Sequence, residues 1–299
     1  MPALTVGAVS RNYFNMPLWI AQHAGFFNQE GLSVTIELIE GIDEVTRRLV
    51  DGRFHLALNV TENTILNSEQ GGRLEIIAGN VNRLPFSFIA RPHIRSYADL
   101  RGARIGVSSI NAGSSSLIMR LLASHGLLHP RDYTLVPVGP ILARWKMLLS
   151  GEIDAGLQGA PLNYVAVDAG FTDLGNPRTQ FPDFQFTSLD ADRDWAKRNE
   201  TVVVHFLRAY IQAHHWFYEN KGGATQIAQK EMSVDRHYAE RAWADYVCDE
   251  IFPRDGRASV RGVQTLLTVS ALIRDLAARS RTRAEQYINH SYLEMAARG

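Results

Sequence analysis

The sequence predicts an α/β protein of two similar lobes, followed by a helical C-terminal extension. Strand patterns alternate with helical patterns over most of the first 190 of the 299 residues, as expected for parallel βαβ units. This alternation repeats after 99 residues. From about Asp190 onward the apolar residues follow helical spacing, so the last third adds helices and no further repeat.

The repeat is visible when the sequence is shifted by 99 residues. Residues 4–10 then fall on residues 103–109, and Gly7 coincides with Gly106 in an apolar strand pattern. Further along, Gly52 coincides with Gly151, where a helix stops before a short strand. Because a repeated supersecondary unit decides the architecture, each half is expected to form one lobe.

Each half is predicted to contain the same strands and helices in the same order. The first half has predicted strands at residues 4–9, 34–39 and 54–58 and helices at residues 17–25 and 43–50. The second half has predicted strands at residues 103–107, 133–138 and 153–157 and helices at residues 114–125 and 141–149. Pro17 suits the start of a helix, and Gly25 suits its end.

Composition and charge exclude several classes of function. Lysine plus arginine equals aspartate plus glutamate at 31 each, so no basic field attracts nucleic acid or an anionic membrane. No apolar stretch approaches the roughly 20 residues of a membrane span. The single cysteine, Cys248, excludes an internal disulfide, and we interpret it as a small buried apolar residue. We expect neither nucleic-acid binding nor membrane insertion.

The N-terminus enters a strand pattern at once, without the charged segment, apolar run and cleavage site of a signal peptide. We therefore expect a periplasmic location if a signal peptide has been removed. A cytoplasmic location is expected if the sequence is complete as written.

Two lobes of one plan form a cleft, and parallel sheets bind ligands beyond the carboxyl ends of their strands. The repeat assigns four loops to this position. They are residues 10–16 and 59–63 in the first lobe and residues 108–116 and 158–162 in the second.

Motifs over nearly the whole chain resemble one protein family. They begin with residues 17–27, which read PLWIAQHAGFF, and residues 30–34. Further motifs follow in order at residues 49–57, 99–107, 151–155, 195–199 and 291–296. The set resembles the type 2 periplasmic solute-binding proteins of ABC transporters, in the group for nitrate, sulfonate, taurine and thiamine precursors.

This resemblance implies a periplasmic-binding-protein-like type II fold with one lobe inserted into the other. It implies that residues 1–89 and 186–299 form lobe 1, including the C-terminal helices, and that residues 90–185 form lobe 2. It also implies closure around a small organic anion, a sulfonate, a carboxylate or an aromatic acid, for uptake through an ABC permease. No metal or other cofactor is expected.

Two alternatives remain open. One is a cytoplasmic enzyme on the same fold, a decarboxylase, hydrolase or lyase of a small acid, and the other is a ligand-sensing domain. We expect binding rather than catalysis, because the sequence has no zinc-protease, nucleophile-elbow, Walker or dinucleotide motif. Glu62 is the candidate catalytic group if the protein is an enzyme.

The second lobe supplies the best candidates for binding an anion. A serine-rich run opens the predicted helix at residues 114–125, and hydroxyls and free N–H groups at a helix N-terminus suit a carboxylate or sulfonate. An ordinary serine cap is the alternative. The candidates here are Ser109, Asn111, Gly113, Ser114 and Ser115.

The corresponding first-lobe loop contains Arg11, Asn12, Tyr13 and Phe14. An arginine beside aromatic rings can pair with an anion and stack on a planar group. Equally, Tyr13 and Phe14 could fill the interface between the lobes.

The last two loops match each other in the repeat and follow short apolar strands. Their candidate ligand-binding residues are Asn59, Thr61 and Glu62 in the first lobe and Gln158 and Pro161 in the second. Glu62 could receive an ammonium or hydroxyl group or stabilise a helix N-terminus. Arg144 could also reach the cleft, although a solvated arginine is the simpler interpretation.

Overall fold

The computed structural model describes residues 1–110, 113–274 and 279–298. Its strands are β1 (Ala3–Val9), β2 (Ser33–Ile39), β3 (Leu56–Val60), β4 (Leu74–Val81), β5 (Phe86–Ala90), β6 (Arg104–Val107), β7 (Thr134–Pro137), β8 (Ala155–Gly159), β9 (Thr172–Asp173) and β10 (Thr187–Asp192). Its helices are α1 (Met16–His23), α2 (Phe26–Gln29), α3 (Ile42–Val50), α4 (Thr61–Glu69), α5 (Ser114–Ser124), α6 (Ile141–Ser150), α7 (Leu162–Asp168), α8 (Arg193–Arg198), α9 (Glu200–Glu219), α10 (Lys221–Met232), α11 (Arg236–Cys248), α12 (Val260–Arg274) and α13 (Ser291–Ala297).

The strands form two sheets of the same plan. Their orders are β2-β1-β3-β10-β4 and β7-β6-β8-β5-β9. Each sheet begins with three parallel strands and continues with an antiparallel strand, β10 in the first sheet and β5 in the second. The predicted repeat is thus a repeat of one mixed sheet. The sequence predicts the parallel strands of each sheet but not the antiparallel ones.

Strands β3 and β8 both begin two residues later than the sequence pattern predicts. In each case an apolar side chain enters the core before pairing starts. A Cβ added to Gly7 would lie 2.3 Å from the Phe54 ring, and one added to Gly106 would lie 2.5 Å from Ile153 Cδ1. Phe54 and Ile153 also coincide in the repeat. In both lobes, therefore, a large apolar side chain packs directly against a glycine of the neighbouring strand.

The chain passes between the sheets twice. It leaves the first sheet after β4 ends at Val81, and β5 already belongs to the second sheet. It returns to the first sheet with β10. The lobe boundaries at residues 89/90 and 185/186 stay a prediction.

The C-terminal helices contact both lobes. Helix α9 packs on α1, whereas α12 packs on α5. Helix α11 hydrogen-bonds to α7, with Tyr164 Oη donating to Asp245. The interpretation of Cys248 as buried is wrong, because the last residue of α11 is exposed. Within the described residues, no helix combines the length and apolarity needed to cross a membrane.

Candidate functional site

A narrow cavity of about 40 Å³ lies between the two sheets, and we call it the cleft cavity. It lies beyond the carboxyl ends of β1, β3 and β6, where the repeat places the cleft. Its lining residues are Val9, Asn12, Phe14, Ile42, Val60, Phe86, Ser108, Ser114, Pro140, Ile141, Arg144, Phe186 and Thr187. Ile42 and Ile141 coincide in the repeat, so the two lobes face each other here through equivalent positions.

One end of the cleft cavity is aromatic. Phe14, Phe86 and Phe186 contact one another almost edge to face, with ring centroids 4.8–5.9 Å apart. Asn12 positions Phe14, because its Oδ1 accepts from the Phe14 N–H at 2.9 Å while its Nδ2 donates to Val9 O at 2.7 Å. The polar atoms of Asn12 therefore serve the loop, and Phe14 supplies an apolar wall for a ligand.

Two serines, one before and one at the start of α5, also line the cleft cavity. The Ser108 and Ser114 hydroxyl oxygens are 3.1 Å apart, and each accepts from the other residue's backbone N–H. Gly113 precedes the helix with φ of +74°, and a Cβ there would lie 2.6 Å from Ser108 Oγ. Glycine is required for this turn, which brings both hydroxyls to the cavity at the positive end of the helix.

Arg144 is a buried cation with no carboxylate partner among the described residues. Its side chain lines the cleft cavity, and the residue is 2% exposed. The guanidinium donates to Leu157 O and, over 3.3 Å, to Gly139 O, and its Nε has no partner. Burial lowers the Arg144 pKa to about 10. A guanidinium held away from water without a counter-ion favours an anion beside it.

Comparison of the two halves shows that packing does not require an arginine here. Arg144 and Gly156 coincide in the repeat with Val45 and Ala57, which belong to one apolar cluster in the first lobe. A Cβ on Gly156 would lie only 2.6 Å from Arg144 Cδ. The second lobe thus has a larger residue on the helix and a smaller one on the strand, which leaves room for the arginine stem.

Arg11 and Tyr13, predicted at the ligand site, do not line the cleft cavity. The Arg11 guanidinium binds Glu231 of α10 on the surface, with 2.8 Å between Nη1 and Oε2. His23 contacts the same carboxylate at 2.7 Å. Tyr13 points the other way, into an aromatic cluster with Tyr246 and Phe217. The surface carboxylate and the aromatic core direct these two side chains away from the cleft.

The polar side chains after β3 are also used inside the first lobe. Asn59 Nδ2 donates to Thr46 Oγ1 at 2.9 Å, and Thr61 Oγ1 donates to Ser188 Oγ at 3.0 Å. Glu62 is buried and pairs with Arg279, 3.4 Å from Oε1 to Nη1. The expectation that Glu62 faces the cleft is corrected, because its carboxylate pairs with Arg279 and the residue does not line the cleft cavity.

Four more of the predicted residues do not line the cleft cavity. Ser109 contacts Asp43 across the lobes at 3.5 Å. The Gln158 side-chain amide lies within 3.3 Å of Ile141 O and Trp145 N at the start of α6. Ser115 is buried within α5, and Pro161 immediately precedes α7. Asn111 lies outside the described residues.

Sequence reasoning therefore identifies Asn12, Phe14 and Ser114 at the cavity, whereas it favours a solvated Arg144, which is in fact buried. The repeat could have identified Arg144 as a binding residue. At the corresponding position the first half has Val45, an apolar core residue. Phe86, Phe186 and Thr187 were missed because they flank the crossings between sheets, outside the four loops that the repeat assigns to the cleft.

A sequence-family comparison matches the family described as NMT1/THI5 like over residues 12–224. One curated relative is the 4-amino-5-hydroxymethyl-2-methylpyrimidine phosphate synthase of Schizosaccharomyces pombe. It is 24% identical over 180 residues, which cover 59% of this chain and 49% of that protein. The chain therefore spans about half the length of this relative.

Solved structures with a similar fold include two binding proteins. The alkanesulfonate-binding protein SsuA of Xanthomonas axonopodis pv. citri, bound to MOPS, aligns with a TM-score of 0.77 at 17% identity over 97% of this chain and 98% of its own. The periplasmic nitrate-binding protein NrtA of Synechocystis PCC 6803 aligns with a TM-score of 0.80 at 16% identity over 100% of this chain and 89% of its own.

The two mixed sheets and their helices are therefore the fold of substrate-binding proteins of ABC import systems, as the sequence motifs imply. The family match extends over more than half of the chain. This chain is a member of the NMT1/THI5-like family.

Proposed function

We propose that this protein is a solute-binding protein that closes its two lobes around a small organic anion for ABC-type uptake. The observation that carries the proposal is Arg144, a buried guanidinium on the wall of the cleft cavity that has no carboxylate partner among the described residues. Its planar fork suits the paired oxygens of a carboxylate or sulfonate.

The rest of the cleft cavity supports the same ligand class. Ser108 and Ser114 present hydroxyls beside the N-terminus of α5, where a negative charge is stabilised. Phe14, Phe86 and Phe186 supply an apolar end for the alkyl or aromatic part of the ligand. A ligand with an anionic head and an apolar body matches both ends.

The cavity is too small for such a ligand while the lobes are in this arrangement. A volume of about 40 Å³ holds roughly three waters, at 10–15 Å³ for each. Binding therefore requires the lobes to separate and close again around the ligand.

Binding is favoured over acid–base catalysis by the residues available. Arg144 is the one titratable side chain among the described residues that line the cleft cavity, and an arginine at neutral pH is a poor proton donor. Asp190, a buried carboxyl with a raised pKa, bonds to Ser188 and Thr64 within the first lobe instead. An enzyme of small acids, in line with the synthase relative, is the competing proposal.

The test is isothermal titration with aliphatic and aromatic sulfonates and carboxylates, each paired with its uncharged amide. We expect the anions to bind. Arg144→Met should weaken their binding at least about tenfold, the effect expected for the loss of one charge-assisted hydrogen bond. Arg144→Lys should restore part of the affinity. Arg11→Met, which removes an exposed arginine on the same protein, is the matched control and should bind like the wild type.

Unchanged recovery of the bound anion, checked by mass spectrometry, is the expected result. Conversion of the anion to a product would contradict this proposal and favour an enzyme of small acids. Equal binding of anions and amides by the wild type and by Arg144→Met would contradict the anion assignment.

Uptake also implies a cellular location and a transport partner. We propose that the chain works outside the inner membrane beside an ABC permease. Fractionation of cells that express the native gene tests this, and retention in the cytoplasm would favour the enzyme or the sensing domain.

A further inference from the structure

Thr187, the first residue of β10, lines the cleft cavity from the first sheet. The residue is 6% exposed, whereas its hydrogen-bond partner Asn80 is completely buried. Asn80 Nδ2 donates to Thr187 Oγ1 and to Phe14 O, each at 3.0 Å. Thr187 thus connects the cleft cavity to a buried amide of the first sheet.

The direction of the hydrogen bond between Asn80 and Thr187 is fixed by the other neighbours of the amide. Phe14 O can only accept, so the Asn80 nitrogen has to face it. On the other side of the amide, Tyr210 Oη donates to Asn80 Oδ1 at 3.1 Å. Burial raises the Tyr210 pKa well above its usual value, so the phenol keeps the proton that it donates. Thr187 Oγ1 therefore accepts the second N–H of this amide.

The Thr187 hydroxyl still has a proton to donate, because a threonine hydroxyl is both a donor and an acceptor. Among the described residues, its only hydrogen bond is the one that it accepts from Asn80. Buried donors are rarely left unused. Thr187 follows Phe186 in the chain and shares Asn80 with the Phe14 carbonyl, so the unused donor belongs to the aromatic end of the cavity.

We propose that Thr187 is a specificity-determining residue, whose hydroxyl donates a hydrogen bond to an acceptor on the body of the bound anion. This inference rests on the proposed function, since it concerns the same ligand. The body would carry an acceptor without a hydrogen of its own, such as a ring nitrogen, a carbonyl oxygen or an ether oxygen. A pure hydrocarbon body would leave the hydroxyl unpaired and bind less tightly.

Isothermal titration of the full chain with benzoate, pyridine-3-carboxylate and pyridine-4-carboxylate tests the proposal. Each pyridine acid differs from benzoate by one ring nitrogen, which accepts a hydrogen bond but opposes burial in an apolar pocket without a donor. We expect at least one pyridine acid to bind about fivefold more tightly than benzoate. This preference should disappear in Thr187→Val, which keeps the side-chain shape, and persist in Thr187→Ser, which keeps the hydroxyl.

Thr61→Val is the matched control. The Thr61 hydroxyl is also buried, but it donates to Ser188 Oγ within the first lobe and the residue does not line the cleft cavity. This variant should keep the wild-type preference. Comparison of the acids on each variant removes any effect of lost stability, because a smaller folded fraction weakens the binding of all of them equally.

Benzoate that binds as tightly as both pyridine acids would overturn the role of Thr187 and leave the anion site intact. A preference that survives in Thr187→Val, or that is lost in Thr187→Ser, would have the same meaning. Absence of binding by all three acids would also overturn it, and titration with the sulfonates then decides whether the proposed function is contradicted as well.

Discussion

Arg144 lies across Gly156, so closely that a Cβ on this glycine would come within 2.6 Å of the arginine Cδ. The first lobe has Val45 and Ala57 at the matching positions, in one apolar cluster. Each lobe therefore packs a larger residue of a helix against a smaller residue of a strand, and only in the second lobe is the larger residue a cation. Because the first lobe packs well with two apolar residues, the fold does not require the arginine, and we assign it to ligand binding.

The double variant Arg144→Val/Gly156→Ala gives the second lobe the residue pair of the first. We expect a folded protein whose free energy of unfolding is equal to or above that of the wild type, because an unpaired buried cation is replaced by apolar packing. Anion binding should be lost. Chemical denaturation and titration with the ligand measure the two effects separately.

The single variant Gly156→Ala is the control for this exchange. It should lose stability by about 1–3 kcal/mol through overpacking and weaken anion binding by displacing the arginine. A double variant that binds the anion with wild-type affinity would show that Arg144 does not contact it.

Glu62 and Arg279 form a buried ion pair that holds the C-terminal extension to α4. Both residues are at least 97% buried, and Arg279 also contacts Glu69 and donates to Ser270 Oγ at 2.9 Å. Glu62→Ala leaves a buried charge with one carboxylate fewer, so we expect a loss of about 3 kcal/mol in the free energy of unfolding. Ligand affinity should change less than about twofold, because Glu62 does not line the cleft cavity.

Glu240→Gln is the matched control for Glu62, since it breaks an exposed i,i+4 pair with Arg236. Such pairs contribute little to stability, and the melting temperature should stay at the wild-type value. A Glu62→Ala protein that folds with normal stability but fails to turn over or bind its ligand would revive the role of Glu62 in the cleft.

The fold was predictable to a large extent because periodicity and repetition are local properties of the sequence. The strands after Gly52 and Gly151 were placed two residues early, since Phe54 and Ile153 are apolar but serve the core before pairing starts. The site was less predictable. Glu62 and Arg11 have the right chemistry in the right loops, but residues more than 200 positions away, Arg279 and Glu231, pair with them.

Asp190 should make stability depend on pH. It is buried on β10, where Ser188 Oγ donates to it at 2.7 Å, and burial raises its pKa to about 7. Between about pH 4 and pH 7 the folded protein keeps a proton that the unfolded chain has released. Stability contributed by this group is thus complete below pH 4 and falls as the pH rises to 7, by up to about 1.4 kcal/mol per pH unit.

The Asp190→Asn variant isolates this effect, because asparagine does not titrate. The comparison is needed since burial lowers the His214 pKa to about 4, which gives the opposite slope as the pH falls below 6.5. We expect the difference in unfolding free energy between wild type and Asp190→Asn to change steadily from pH 4 to pH 7. A constant difference over this range would mean that Asp190 does not hold a proton in the folded state.

Helices α7 and α11 are joined by two tyrosine–aspartate hydrogen bonds of opposite direction. Tyr164 on α7 donates to Asp245 on α11 at 2.7 Å, and Tyr238 on α11 donates to Asp168 on α7 at 2.8 Å. Helix α7 follows a strand of the second sheet, whereas α11 packs on α10, which packs on α1 beside the first sheet. We therefore expect both bonds to break when the lobes separate. They favour the closed arrangement without contacting the cleft cavity.

The double variant Tyr164→Phe/Tyr238→Phe should therefore shift the free protein toward separated lobes. We expect a larger radius of gyration by small-angle X-ray scattering and ligand binding strengthened by up to about fivefold for each bond, because these bonds stabilise an arrangement that has no room for the ligand. Tyr287→Phe is the control, since its hydroxyl donates to Glu69 within the first lobe and its loss should leave both quantities unchanged. An unaltered scattering profile in the double variant would mean that closure depends on the other contacts between the lobes, such as the three phenylalanines of the cleft cavity.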